Sequence, residues 1–223
     1  MALASGVNKS SIQNAPARIY LLASPTTVVG TTTLAIVKEL YAKFLADGDI
    51  RGALANGIVP YGTMNKDGYK ETIKAKELTC EPNAGGDFVA AYESIDYEAT
   101  FTIAEDDVDH TKDVFSASAL EVLTITASST QAGRSTLLGG GQRFPADLMA
   151  LIRWPSKQCP GEYIHTLVPC CNLKIDQSRE RSRGKLGETS YKLVAKDFEL
   201  LPDPTTGLPT KWLEDYVVNP KTA

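Results

Sequence analysis

Three cysteines and one histidine in the C-terminal half are the residues of this sequence best suited to bind a metal. Cys159, His165, Cys170 and Cys171 are all residue types that coordinate zinc. Their spacing is not that of a structural zinc site, whose ligands come in closely spaced pairs. Cys170 and Cys171 are adjacent, so on a strand their side chains point to opposite faces and cannot easily share one ion. We therefore expect free, buried thiols and no cofactor. A zinc enzyme built on Cys159, His165 and Cys170 remains an alternative, and it predicts stoichiometric metal.

The second histidine lies in an acidic segment. His110 follows Asp106 and Asp109, and acidic side chains at that point cap a predicted short helix and complement its positive end. A catalytic histidine needs an oriented nucleophile or carboxylate, which this capped, solvated turn does not indicate. The segment also lacks the alternating ligands, the glycine and the terminal glutamate of a calcium-binding loop. We expect no enzymatic activity.

Basic residues concentrate in two predicted loops. The loop from Ser128 to Phe144 contains three consecutive glycines, but no Gly-Lys-Ser/Thr follows them, so it is not a phosphate-binding loop. The loop from Gln177 to Gly187 carries four basic side chains around one glutamate: Arg179, Arg181, Arg183 and Lys185. One such loop would not hold DNA on an acidic chain. We interpret it as a solvated loop or as a contact for an acidic patch on a neighbouring subunit.

The composition is that of an ordinary folded protein. The 223 residues include 23 basic and 27 acidic side chains, a net charge of −4, and 43% are hydrophobic. This balance excludes intrinsic disorder, and a pI near 5.3 argues against a protein that wraps DNA. The sequence predicts no transmembrane helix, and its N-terminus lacks the apolar core of a signal peptide. We expect a chain that is made in a cytoplasm, stays there or leaves without Sec export, and has no membrane partner.

Hydrophobic periodicity predicts a mainly β protein. One helix is predicted at Thr31–Ala46, with Leu34 in its apolar stripe. The clearest strand is Ile95–Ile103, where strict alternation predicts one dry and one wet face. Asn65–Gly68 has the composition of a hairpin turn between two strands. Further strands are predicted at 18–23, 58–64, 69–80, 120–127, 146–154, 163–175 and 189–201.

These elements predict an α+β fold that is mainly β, an antiparallel β-sandwich or barrel with one or two packed helices. A single domain is expected over residues 18–201, after an N-terminal arm at 1–17. The C-terminal segment, 202–223, contains Trp212 and Tyr216, which either form an interface or cover the protein's own core. Long exposed hairpins carry a risk of aggregation unless something pairs or covers their edges.

The order of these segments resembles that of the major tail tube proteins of long-tailed bacteriophages. Three stretches carry the resemblance. The first is the charged hairpin Gly62–Leu78, and the second is the alternating strand, acidic end and short helix of Ile95–Ser116. The third is Tyr163–Leu173, the charged loop, and Tyr191–Pro202 with its continuation into Asp-Pro. The long helix at Thr31–Ala46 departs from that family's pattern.

The resemblance implies a β-sandwich with a packed helix that forms hexameric rings, stacked into a hollow tube for genome delivery. It implies a location in the virion tail after synthesis in the bacterial host cytoplasm. It also implies tape measure, terminator and distal tail proteins as partners beside the chain itself. The lumen of such tubes is typically acidic, so that DNA passes without specific binding. Head-to-tail closure of the ring would also remove exposed strand edges.

Two sets of residues are the site candidates on this interpretation. Asp96 and Glu98, on the wet face of the long strand, are predicted to contribute to the lumen or to a contact with the neighbouring subunit. The residues predicted to reach the adjacent subunit or ring are Arg134, Arg143, Arg179, Arg181, Arg183 and Lys185. The alternative function is a monomeric β-sandwich that decorates the virion or binds a receptor, which predicts a stable monomer with an exposed aromatic or polar pocket.

Overall fold

The structure is a computed structural model that describes residues 17–46, 48, 50, 54, 57–62, 64–80, 88–103, 122–137, 145–157, 159, 161–175 and 189–217. Several predicted features lie outside these residues: the N-terminal arm up to residue 16, the short helix with His110, the glycine-rich stretch with Arg143, and the basic residues from Arg179 to Lys185.

The described residues form one helix and eleven strands. In chain order these are β1 (Arg18–Ala23), α1 (Thr33–Ala42), β2 (Met64–Cys80), β3 (Phe88–Ile103), β4 (Val122–Ile125), β5 (Arg134–Leu137), β6 (Leu148–Pro155), β7 (Tyr163–Ile175), β8 (Thr189–Ala195), β9 (Phe198–Pro202), β10 (Pro209–Thr210) and β11 (Leu213–Asp215).

The predicted fold class is confirmed, because the chain is mainly β and its strand pairs are antiparallel. The main sheet has the order β1-β6-β7-β8-β3-β2, with β11 paired to β7, while β4-β5 and β9-β10 form two small separate sheets. The main sheet is curled. Tyr69 on β2 and Trp154 on β6 lie with ring centroids 6.1 Å apart, although three strands separate β2 from β6.

Alternation of side chains gives each face of the sheet its own core. On the concave face the buried side chains are Ile19, Tyr61, Tyr97, Ala99, Phe101, Ile103, Ala150, Ile152, Val168, Cys171, Leu173, Tyr191 and Leu193. On the convex face α1 and β9 pack over β1, β6 and β7, and the buried side chains are Tyr20, Ile36, Leu40, Tyr41, Phe44, Leu45, Met149, Leu151, Leu167, Cys170, Phe198 and Leu201.

Strand β7 contains a bulge at a proline. Between Val168 and Cys171, β7 has one more residue than the part of β6 with which it pairs. A bulge suits Pro169, which has no N–H to donate to the ladder. The extra residue lets Val168 and Cys171 share the concave core, while Cys170 lies in the convex core.

The helix is shorter than predicted. It begins after Thr32, whose Oγ1 accepts a hydrogen bond from the N–H of Ala35 at 3.2 Å, and it ends at Ala42. The chain then bends instead of continuing as a helix, and the side chains of Phe44 and Leu45 are buried in the convex core. The prediction that Leu34 belongs to the apolar stripe was wrong, because this side chain is 64% exposed near the start of the helix.

The predicted hairpin turn at Asn65–Gly68 was also wrong. These residues lie inside β2, between Met64, which pairs with Ile103, and Tyr69, which pairs with Phe101. Because β3 continues on both sides of this point, the extra residues of β2 form an irregularity in the ladder instead of reversing the chain. A glycine and polar residues tolerate such a bulge as well as a turn.

The chain from Thr189 to Leu201, predicted as one strand, forms two. β8 belongs to the main sheet, and after Lys196 and Asp197 the chain leaves that sheet as β9, which pairs with β10. The following residues 211–217, which we call the strap, contain β11 and return to β7. Through the strap, the C-terminal segment is part of the main sheet. In the described residues no helix is long and apolar enough to cross a membrane.

Candidate interaction surfaces

The convex face is polar where α1 does not cover it. Over β2, β3, β8 and the end of β7 it presents a charged face, which consists of Lys70, Thr72, Lys74, Asp96, Glu98, Thr100, Thr102, Lys174, Ser190 and Lys192. Residues paired across strands share a face, so Lys70, Thr100, Lys192 and Lys174 form one row across four strands. Lys192 and Lys174 are direct neighbours in this row, an arrangement that destabilises a sheet unless a counter-charge is near.

Glu98 supplies that counter-charge. Its Oε2 lies 2.9 Å from Lys74 Nζ on β2 and 3.0 Å from Lys192 Nζ on β8. The hydrogen bond from Lys74, followed by that from Lys192, lowers the pKa of the Glu98 carboxyl below its usual range. Glu98 therefore ties together the three strands β2, β3 and β8.

Asp96 is bound by the strap. Lys211 Nζ lies 2.6 Å from Asp96 Oδ1 and 3.6 Å from Asp197 Oδ1. The hydrogen bond to Asp96 is the main cause that raises the pKa of Lys211 above its usual value. On the other face of β3, the ring of Trp212 stacks on Tyr97 with centroids 5.4 Å apart. The strap thus holds β3 through one ion pair and one aromatic contact.

Both predicted carboxylates therefore lie on the polar face of β3, and both are paired with lysines of their own chain. The charged face as defined above holds more lysines than carboxylates. A contribution of Asp96 and Glu98 to a lumen would come from a face that is not acidic overall, which differs from what the family resemblance implies.

Strands β2 and β3 extend beyond the rest of the sheet. β8 pairs with β3 only from Glu98 to Ile103, so residues 73–80 and 88–97 form a two-stranded extension that we call the distal ribbon. Its apolar face continues the concave core. Ile95 was predicted to be dry, but it is 40% exposed, and Ile73 is 52% exposed, because the core ends at Tyr97. Tyr92 on the same ribbon is also exposed.

Of the basic residues predicted to make contacts, Arg134 is described. It is exposed and begins β5, in the small hairpin with β4, where it pairs with Ile125. Arg143, Arg179, Arg181, Arg183 and Lys185 lie outside the described residues.

The cysteines and the histidine proposed as metal ligands are not brought together. Cys159, Cys170 and Cys171 are buried free thiols, and Cys170 and Cys171 lie in different cores, as their adjacency predicted. Burial raises the pKa of Cys170 and Cys171 above the usual value for a thiol. In the part of the chain that is described, no group of three His, Cys, Asp or Glu residues is placed to hold a metal ion.

His165 belongs instead to a buried polar row. It pairs with Arg153 on β6 and with Asp215 on β11, and its Nδ1 lies 3.6 Å from Asp215 Oδ2. Tyr41 of α1 packs edge-on against the imidazole. Within the described residues, Tyr41 Oη, Arg153 Nε, both nitrogens of His165 and Asp215 Oδ2 are buried without a hydrogen-bond partner. The row fixes the strap against β7, and it offers a base but no paired nucleophile for catalysis.

The concave face holds a second polar group. Tyr97 Oη donates to Glu71 Oε1 at 2.6 Å, Tyr69 Oη donates to the same oxygen, and the two hydroxyl oxygens are 2.6 Å apart. Burial is the largest cause that raises the pKa of both tyrosines above the usual value, and hydrogen bonding to Glu71 adds to it. Both tyrosines therefore remain protonated donors, and among the described residues no cation pairs with Glu71.

A recess opens beside this group. It has a volume of about 230 Å³, and its walls are Trp154, Pro155, Ser156, Lys157, Ile164, Tyr216 and Val217. Tyr216 Oη donates to Glu214 Oε2, which raises the pKa of Tyr216 to about 12, and the charge of Glu71 adds to this shift. We call the recess, together with Glu71, Glu214, Tyr69, Tyr97 and Trp212, the aromatic recess.

The sequence did not predict the aromatic recess. Trp212 and Tyr216 were predicted either to form an interface or to cover the protein's own core, and Trp212 packs on the concave core. Trp154 and Glu71 were missed, because they come from strands distant in sequence that meet only when the sheet curls. The one available signal was that the chain has two tryptophans, and both lie here.

Comparison with known proteins adds no relative. A scan against protein-family models gives no match to this chain, and a search of curated proteins gives no significant match.

Proposed function

We propose that this chain is a non-enzymatic structural subunit that assembles with copies of itself into stacked hexameric rings, as the tail tube of a long-tailed bacteriophage. The resemblance of its three segments to that family is one support. A mainly β fold with a curled antiparallel sheet and one packed helix is consistent with the β-sandwich and packed helix that the resemblance implies.

The observation that carries the proposal is the distal ribbon. Ten residues of β3 at about 3.3 Å each extend roughly 33 Å past the last residue paired to β8. A two-stranded ribbon is at best marginally stable in water, and exposed Ile73, Ile95 and Tyr92 add apolar surface to it. Contact with a second copy would bury these side chains and stabilise the ribbon.

The edges of the main sheet support the same proposal. In the described residues β2 has no strand partner but β3 and β1 has none but β6, although the N–H of Tyr61 donates to the Ile19 carbonyl of β1 at 2.6 Å. The two edges are different surfaces of one molecule, and contacts between different surfaces generate closed rings or open stacks. Such assembly also removes the edges as sites of aggregation.

The charged face is our candidate for the wall of the channel, with Asp96 and Glu98 on it. The pairs that Asp96 and Glu98 form with lysines neutralise part of the positive charge of this face, which weakens its attraction for the phosphate backbone. In this proposal the other partners are the tape measure, terminator and distal tail proteins, and the chain is located in the virion tail.

A second candidate function is favoured by the aromatic recess. A monomeric virion decoration or receptor-binding module predicts an exposed aromatic pocket, and the recess has that character. Electron microscopy of the concentrated, purified chain distinguishes the two. Six-fold rings or hollow tubes support the structural subunit, whereas a uniform particle of about 24 kDa, the mass of one chain, supports the binding module.

A further inference from the structure

A row of lysines crosses the charged face. Lys70 on β2, Lys192 on β8 and Lys174 on β7 lie in one register, with Thr100 of β3 between the first two. At about 4.8 Å per strand, the row is about 14 Å long from Lys70 to Lys174. Lys70 and Lys174, at its two ends, are exposed. We call these three lysines the lysine row.

Most of the positive charge of the lysine row is not neutralised within the described residues. Glu98 pairs with Lys192 at 3.0 Å, but it also pairs with Lys74 outside the row, so one carboxylate serves two lysines. Neither Lys70 nor Lys174 forms an ion pair in the part of the chain that is described. Lys174 lies directly opposite Lys192, and like charges at such positions destabilise a sheet. A face that retains this repulsion keeps a positive potential, which attracts a polyanion.

The neighbours of the lysine row suit phosphate groups. Thr100 lies within the row, and on the side away from Glu98 the next pair is Thr102 and Ser190, whose hydroxyl oxygens are 2.9 Å apart. Phosphate oxygens accept hydrogen bonds from lysine, serine and threonine side chains. One strand of duplex DNA carries a phosphate about every 3.4 Å of helix axis, so about four phosphates match the length of the row.

We propose that the lysine row binds the phosphate backbone of a nucleic acid through contacts that do not depend on sequence. The inference rests on the proposed function, in which the charged face lines the channel for DNA, and it names the residues that contact the passing backbone. Contacts of this kind carry no sequence information and allow a protein to slide along DNA. The row therefore guides a duplex without holding it at one place. Such a wall differs from the acidic lumen that the family resemblance implies.

Glu98 sets the strength of this contact. Its carboxylate holds Lys192 and Lys74, so both lysines are partly withdrawn from an approaching phosphate. E98Q releases them and removes one negative charge from the face. The proposal therefore predicts that loss of Glu98 strengthens nucleic-acid binding, whereas loss of Lys70 and Lys174 weakens it.

Fluorescence anisotropy of a labelled DNA duplex of mixed sequence tests the proposal. The protein is the full chain, at concentrations where sedimentation velocity shows single chains, so that the charged face is accessible. If the chain stays assembled at every concentration, the I73D/I95D variant is titrated in its place. We expect binding that weakens with salt. K70Q/K174Q should lower the affinity about tenfold and reduce the slope of log affinity against log salt by about two. E98Q should raise the affinity.

A matched variant separates the row from net charge. K38Q/K157Q removes two exposed lysines that lie outside the charged face, so it changes the net charge by the same amount, and it should bind like the unmodified chain. Circular dichroism checks that each variant is folded. No salt-dependent binding, or equal losses for K70Q/K174Q and K38Q/K157Q, overturns the proposal. Equal affinity for polyglutamate of the same charge overturns the assignment to a nucleic acid.

The test is separate from that of self-assembly. If the unmodified chain forms tubes but the duplex does not bind, the lysine row is wrong and the proposed function stands. If the duplex binds through the row but electron microscopy shows only single particles, the row is a phosphate-binding surface and the proposed function fails.

Discussion

Lys211 Nζ lies 2.6 Å from Asp96 Oδ1, a contact between residues 115 positions apart in the sequence. Asp96 is in the distal ribbon and Lys211 begins the strap, so this pair joins the part of the molecule that extends from the sheet to the part that closes its C-terminus. The next residues along each chain segment, Trp212 and Tyr97, stack on one another. The strap therefore orients the base of the ribbon.

The first prediction concerns the strength of this pair. Lys211→Met and Asp96→Asn should each lower the free energy of unfolding by about 0.5–1 kcal/mol, with a coupling energy of similar size in the double-mutant cycle. Chemical denaturation followed by circular dichroism gives these values. The exposed pair Lys196–Asp147, treated the same way, is the matched control, because it does not involve the strap. Strictly additive effects of Lys211→Met and Asp96→Asn would contradict the account.

Trp212→Ala should lower the free energy of unfolding more than Lys211→Met or Asp96→Asn does. Loss of the ring that stacks on Tyr97 removes a contact with the concave core and should cost about 2 kcal/mol or more in stability. Hydrogen exchange should increase at the base of the ribbon. Tyr216→Ala, in the same segment but with an exposed ring, is the control and should cost less than about 1 kcal/mol. Equal losses for the two variants would show that the strap does not act through Trp212.

Glu98 should make stability depend on pH in the acid range. Its pKa is lowered in the folded state, so its contribution is present at neutral pH and is lost as the pH falls through the folded pKa, below about 4.5. Glu98→Gln should reduce stability by about 0.5–1 kcal/mol at pH 7 and by progressively less as the pH falls below about 4.5. Thermal unfolding at several pH values measures this difference. Glu199→Gln is the control, and a constant difference between Glu98→Gln and wild type at all pH values would argue against the lysine pairs as the cause.

Ile73→Asp with Ile95→Asp should block assembly while leaving the monomer folded. Both side chains are exposed in the chain alone, so the substitutions remove contacts that only a second copy would make. Sedimentation velocity reports the loss of large species, and circular dichroism reports the fold. Ile125→Asp changes an exposed isoleucine on the separate β4-β5 hairpin and should leave assembly intact. Normal assembly of the Ile73/Ile95 variant would exclude the ribbon as the interface.

Cys171 should resist alkylation in the folded protein. Its thiol is buried in the concave core, and burial raises its pKa, so the reactive thiolate is scarce at pH 8. Peptide mapping by mass spectrometry after treatment with iodoacetamide should show labelling of Cys171 only after denaturation. Rapid labelling in the native chain would mean that β7 opens locally.

The sequence was informative where local pattern decides the structure. Period-two alternation located the buried residues of β3 from Tyr97 to Ile103, and helical spacing located α1. It failed where the structure depends on pairing between strands that are distant in sequence. Ile95 has the same pattern as Tyr97, but β8 ends before it and the core no longer covers it. Asn65–Gly68 has the composition of a turn, yet pairing of β2 with β3 on both sides keeps it within one strand.

The candidate surfaces were likewise predictable from local pattern but not from contacts between distant strands. Asp96 and Glu98 were predicted on a polar face from alternation alone, but their lysine partners come from β2, β8 and the strap. The row of Arg153, His165 and Asp215 depends on the register of three strands, which no local pattern encodes.

The central claim is that copies of this chain assemble through the distal ribbon. Cryo-electron microscopy of the purified full-length chain at high concentration tests it most directly. We predict six-fold rings, single or stacked, in which Ile73 and Ile95 of each copy are buried against the next copy and the charged face lines a central channel. A chain that remains a monodisperse monomer, or a ring in which the ribbon stays exposed to solvent, would contradict the account.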